Sequence, residues 1–193
     1  MKQLKHFFMI NIKKLTDNLR AFTSEKQGVA AVEFALILPI MLLIYLGTAE
    51  ASRAISYHNR IVTIASSIGD LVAQEQNDIS LSRLRDYFSA TQTIIAPYST
   101  TGVTQIVTSV YVRPNGSTRV EWSFRQNGSR GYNTGSSFSL PANIRNVSRD
   151  NYVIVSEASL NYQPMVNYIF PSGIQFYQKF YNLTRGNNGI NIN

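Results

Sequence analysis

The chain has 193 residues, a formal charge of +7, 44% apolar residues and no cysteine. That length allows one modest domain plus an anchor. The missing cysteines exclude disulfides, thiolate chemistry and a lipidated-cysteine anchor, and leave the redox compartment open.

The first 28 residues carry Lys2, Lys5, Lys13, Lys14, Arg20 and Lys26 against Asp17 and Glu25, a net +4 of the chain's +7. Ile12, Leu15, Leu19 and Phe22 fall at helical spacing, which predicts a helix at a membrane interface. A basic run beside an apolar segment works as a topology signal or lipid contact, and no motif for binding nucleic acid accompanies it. No nucleic-acid partner is expected.

Val29 to Gly47 is an apolar run interrupted only by Glu33. About 20 apolar residues suffice to cross a bilayer as a helix. The basic flank would hold residues 1–28 in the cytoplasm and place everything after Gly47 outside the inner membrane. An ordinary secretory signal puts its cleavage site after the apolar region. Here the small-residue site, Gly28, comes before it, so the apolar segment would survive processing. A carboxylate at the bilayer centre costs roughly 2.5–3.5 kcal/mol, so Glu33 needs a reason to be there. Pro39 breaks the helical hydrogen-bond ladder and predicts a kink. Ala30, Ala31 and Ala35 allow close helix–helix approach or are plain apolar filler, and Tyr45 suits the outer interface.

The stretch Gly28-Val29-Ala30-Ala31-Val32-Glu33-Phe34-Ala35-Leu36-Ile37-Leu38-Pro39 resembles the N-terminal signature of the TadE-like family, pilin-like components of the tight-adherence (Flp-type) pilus system. The specific likeness covers Gly28 to Arg53. The resemblance implies cleavage between Gly28 and Val29 by a prepilin peptidase, with Glu33 fifth in the mature chain. It also implies that Glu33 pairs with the amine of a neighbouring subunit's new terminus. Implied partners are the peptidase, other pilin-like subunits, the assembly platform and the inner membrane. Neither a small-molecule substrate nor a cofactor is implied.

Beyond Gly47 the helical period continues. Ile55, Ile61, Val62, Ile64, Ala65, Ile68, Leu71 and Val72 form one stripe, with Arg53, Asn59 and Arg60 away from it. A helix from Val29 to Gln76 would be about 72 Å long at 1.5 Å per residue. A second helix is predicted near Ile79–Ser89, with Leu81, Leu84 and Phe88 on one side.

From there the period changes to two. Val103–Val112 is a strand, Pro114-Asn115-Gly116-Ser117 a turn, and Thr118–Arg125 a strand in which Thr118, Val120, Trp122 and Phe124 alternate with polar residues. Gln126–Asn143, dense in Gly, Ser and Asn, predicts an exposed loop. Tyr152–Tyr162 and Gln175–Leu183 are further strands, and Arg185–Asn193 is expected to fray. Glu157 is read as facing solvent. Tyr152, Tyr162, Tyr168, Tyr177 and Tyr181 are read as packing residues or a contact surface.

The expected fold is α+β: a long N-terminal transmembrane helix running into a small antiparallel-sheet domain, a pilin-like layout. The expected organisation is a leader at 1–28, a span at 29–47, a helical stem at 48–90 and a β-rich extracytoplasmic domain at 91–193. Enzyme motifs are missing: there is no G-x-S-x-G, P-loop or G-x-G-x-x-G. His6 and His58 would lie on opposite sides of the span, so no metal or catalytic site is expected. Two alternatives to a pilin-like subunit stay open. One is an unprocessed, signal-anchored binding module using the 126–143 loop or the tyrosine-rich end. The other, an anchored extracytoplasmic enzyme, finds no sign in the sequence.

Overall fold

Pro39 does not end the first helix. In the computed structural model, which describes residues 26–76, 78–165, 173–185 and 189–193, helix α1 runs from Lys26 to Ala73. The interfacial helix expected before Lys26, together with His6 and Tyr168, lies outside the described residues. The chain divides into two compact units, residues 1–51 and 52–193, so α1 contributes to both.

In the first unit α1 exposes its apolar side chains on every side: Val29, Val32, Phe34, Leu36, Ile40, Leu43 and Ile44 are all at least half exposed. A helix apolar all round has no solvent-facing stripe and matches a lipid environment. Among the described residues this is the one helix long and apolar enough to cross a membrane.

In the second unit the helix becomes one-sided. Ile61, Ile64, Ala65, Ile68 and Val72 are fully buried, while Asn59, Thr63 and Asp70 face out. Two residues are not placed as the stripe predicts. Ile55 is 61% exposed, because the packed face begins only near Tyr57. Arg60, assigned to the outer face, is half-buried and donates to the carbonyls of Ile94 and Ala96.

Helix α2, Leu81–Gln92, starts at Ser80, whose hydroxyl accepts from the Arg83 N–H and so satisfies one orphan donor of the first turn. It buries Leu84 and Phe88. A single 3-10 turn, Thr93–Ile95, leads to the sheet.

Four antiparallel strands follow: β1 Val103–Val112, β2 Thr118–Arg125, β3 Asn151–Tyr162 and β4 Ile174–Leu183. Their order is β2-β1-β3-β4. The β1–β2 turn uses Gly116 at φ +83°, and Asn115 accepts from the Ser117 N–H. Short α3, Ala142–Val147, precedes β3.

Each face of the sheet has its own cover. One face packs on α1 and α2 through two clusters: Ile68, Val72, Leu84 and Phe88 with Val107, Trp122 and Ile154, and Ile61, Ile64 and Ala65 with Val103, Ala158 and Leu160. At Gly69 the helix comes so close that an added Cβ would lie 2.4 Å from the Ser156 hydroxyl and 2.8 Å from the Asn182 side-chain oxygen.

The other face carries Val110, Val112, Val120, Val153 and Val155, and Phe138, Leu140, Tyr132 and Ile144 lie over it. The 126–143 segment is therefore not simply an exposed loop. It lays apolar side chains on the sheet, and its backbone also lines the edge of β2 through Val120 N–H to Ser136 and Gly135 N–H to Val120. The glycines and serines of the segment hid this, since its few apolar residues have no period.

The carboxyl-terminal end is tied down where fraying was expected. Ile190 is buried in the first cluster, the Trp122 indole donates to its carbonyl, and Ile79 exchanges backbone hydrogen bonds with Asn191 and Asn193.

Candidate functional site

Gly28 and Glu33 sit at the head of α1. The Gly28–Val29 peptide bond lies within the described helix, two residues after Lys26. Glycine weakens the helix there, costing about 0.5–1 kcal/mol relative to alanine. Val29 is exposed and so is Glu33.

Val29 and Glu33 are four residues apart, which places them on the same side of the helix one turn from each other. Of the other residues singled out, Pro39 stands ten residues beyond Val29 within the same helix. Its missing N–H leaves the Ala35 carbonyl without its usual partner. Gly47 closes the run with open space around it. Among the described residues, no group of three His, Asp or Glu side chains is placed to hold a metal ion.

The sequence missed a second polar centre. Glu157, expected to face solvent, is 3% exposed in the sheet interior. It opposes Lys179 across the β3–β4 ladder, and the Lys179 ammonium lies 2.9 Å from its Oε1. The hydroxyls of Tyr177 and Tyr132 donate to the same oxygen. Burial, then the hydrogen bond to Glu157, pushes the Tyr177 phenol up to about 12. Burial followed by the Glu157 charge raises Tyr132 as well. For Lys179, burial opposes the charge, but hydrogen bonds to Glu157 and Tyr177 outweigh it and raise its pKa. The Lys179 ammonium also stands 5.0 Å from the centre of the Phe138 ring. This cluster joins β3, β4 and the 126–143 segment, and its chemistry is structural. One signal could have exposed it: β3 is apolar on both faces, which marks a central strand, and Lys179 is the only lysine after Gly47.

The tyrosines pack. Tyr162 lies 4.9 Å from Tyr57 between ring centres, Tyr152 lies 5.0 Å from Tyr111, and Tyr181 joins the valine cluster. His58 meets the Phe176 ring edge-on at 5.5 Å and has no metal-ligating company.

No curated protein and no solved structure matches the chain. A family comparison does find a match, and it covers the segment that holds Gly28, Glu33 and the whole apolar run. Residues 28–68 match the model described as TadE-like protein, so the resemblance read from these residues is the match found, to a structural, pilin-like family associated with the tight-adherence pilus.

Proposed function

We propose that the chain is a minor pseudopilin of the tight-adherence pilus, cut between Gly28 and Val29 by a prepilin peptidase and acting in pilus biogenesis without catalysis of its own. One observation carries the reading: Gly28 and Glu33 stand at the head of a helix that is apolar on all sides, inside the segment that matches the TadE-like family. The basic leader, residues 1–28, stays in the cytoplasm, and residues 29–47 anchor the chain in the inner membrane. The body faces the periplasm or joins the fibre.

Processing at this bond frees the Val29 amine at the membrane edge. Burying either that amine or the Glu33 carboxylate alone is costly, whereas pairing the two in low dielectric offsets much of the cost. Within one chain the two charges are four residues apart and can meet. An incoming subunit's Glu33 can instead take the amine of its neighbour, which sets a register between subunits. Pro39 kinks the span and helps fit it to those neighbours. The partners are the peptidase, other pilin-like subunits and the assembly platform.

N-terminal sequencing of membrane-extracted protein tests the reading. A mature terminus at Val29 supports it. An intact Met1 in cells that carry the peptidase overturns it in favour of an unprocessed binding module. Gly28→Leu should abolish the cut. Glu33→Ala should leave the cut in place and reduce piliation; normal fibres in that variant refute the pairing role.

A further inference from the structure

An aromatic and basic cluster closes one end of the 52–193 unit. Tyr57 packs at a tilt on Tyr98 at 4.5 Å and on Tyr162 at 4.9 Å between ring centres, and Tyr162 stacks on Phe176 at 6.0 Å. The Arg60 guanidinium lies 4.9 Å above Tyr98 and is held by two carbonyls. Arg53 is exposed beside Met165, and Ile55 and Met165 both turn apolar side chains outward. Tyr57 and Tyr98 are half-buried. Cations, tyrosines and exposed apolar side chains interleaved in this way make up the mixture that settles between hydrocarbon and water. An interior is short of cations, and an ordinary wet surface is short of exposed isoleucine and methionine.

Chain length limits where this end can be. Arg53 follows Gly47 by six residues, and six residues span at most about 21 Å even when fully extended. The opposite end of the sheet, where β1 enters the Pro114–Ser117 turn, is also basic, through Arg113, Arg145 and Arg149. Along a strand of 10 residues it lies about 33 Å away.

Resting on the membrane reading of residues 29–47, we infer that the end bearing Arg53, Tyr57, Arg60 and Tyr98 is a contact surface for phosphate-bearing lipid headgroups. Arg53 supplies the exposed cation, and the Arg60 guanidinium, already oriented by the Ile94 and Ala96 carbonyls, keeps further N–H donors for phosphate.

The chain's lack of cysteine gives a direct test. Full-length protein carrying a single fluorophore at Thr100→Cys, beside the cluster, or at Ala142→Cys, on α3, is reconstituted into phosphatidylcholine vesicles with or without phosphatidylglycerol. Headgroup-attached nitroxide lipid serves as quencher. Stronger quenching at position 100 than at 142, rising with phosphatidylglycerol, is the expected result. Arg53→Gln should lower the contact ratio about fivefold, the effect of one cation at an anionic surface. Equal quenching at both positions in chains that still float with the vesicles overturns the inference and leaves the anchor reading intact. Protection of position 100 from an aqueous quencher without headgroup quenching overturns it in favour of a protein partner. Failure to float removes both readings.

Discussion

The two halves of α1 share one secondary structure, yet they solve opposite problems. Val29–Gly47 is apolar around the whole cylinder and exposes it all, a pattern that matches a hydrocarbon environment. Residues 57–73 confine their apolar side chains to one stripe and bury it against a sheet. Helix formation satisfies most of the backbone in both halves, the Ala35 carbonyl opposite Pro39 being an exception. What differs is the medium each side chain requires, and that is set by whether polar residues recur every three to four positions.

The contrast extends to the two acids in apolar settings, and there the largest effects are expected. Glu157→Ala removes the partner of Lys179 and strands a half-buried ammonium. Loss of a buried partner of this kind costs about 3–5 kcal/mol, and urea unfolding of the body should show a loss near the lower end because Lys179 keeps some access to water. Glu33→Ala should leave that transition unmoved. Similar losses for both acids would mean that the two regions are not distinct.

Truncation in each half of the helix comes next. Ile68→Ala, at a fully buried position, should cost about 3 kcal/mol by transfer plus cavity. Leu43→Ala, at a site 70% exposed, should leave the melting of the body unchanged and weaken retention in vesicles. The two helix glycines sharpen the point at smaller scale. Gly69→Ala forces a methyl group against Ser156 and Asn182, and overpacking of this kind costs about 1–3 kcal/mol. Gly47→Ala meets open space and should be neutral or gain up to about 1 kcal/mol of helix propensity. Melting temperatures of the paired variants check both.

The smallest effect is a pH dependence confined to the body. Tyr177 has its pKa raised from the ordinary 10.0 to about 12 in the folded protein, and Lys179 is raised as well. Both groups hold their protons longer folded than unfolded. Stability from them is therefore complete below about pH 10 and falls as pH rises through the folded-state values. Urea midpoints taken from pH 8 to pH 12 should fall above pH 10, and less steeply in Glu157→Gln. A midpoint rising with pH over this range would contradict the cluster as drawn.

Much of this was legible in the residues. The strands Val103–Val112 and Thr118–Arg125 match the predicted bounds, and α1 differs from the expected Val29–Gln76 by three residues at each end. Hydrophobic period, a proline–asparagine–glycine turn and an unbroken apolar run are local signals, so a short window suffices to read them. The Gly28–Glu33 spacing is equally local. Glu157 was misread because alternation tells which residues share a face without telling what covers that face. The same limit hid the packing of Phe138 and Leu140, the docking of Ile190 and the inward turn of Arg60.

Sequence alone determined where the chain changes hydropathy and period: apolar on all sides to Gly47, one-sided in the stem that follows, alternating from Val103 onward. Those properties depend on residues within a few positions of one another. Only tertiary structure decided the strand order β2-β1-β3-β4, the cover on each sheet face and the pairing of Glu157 with Lys179, 22 positions apart. Such contacts are selected by the global requirement that buried polar groups find partners and apolar faces find covers, a condition no single segment can meet by itself.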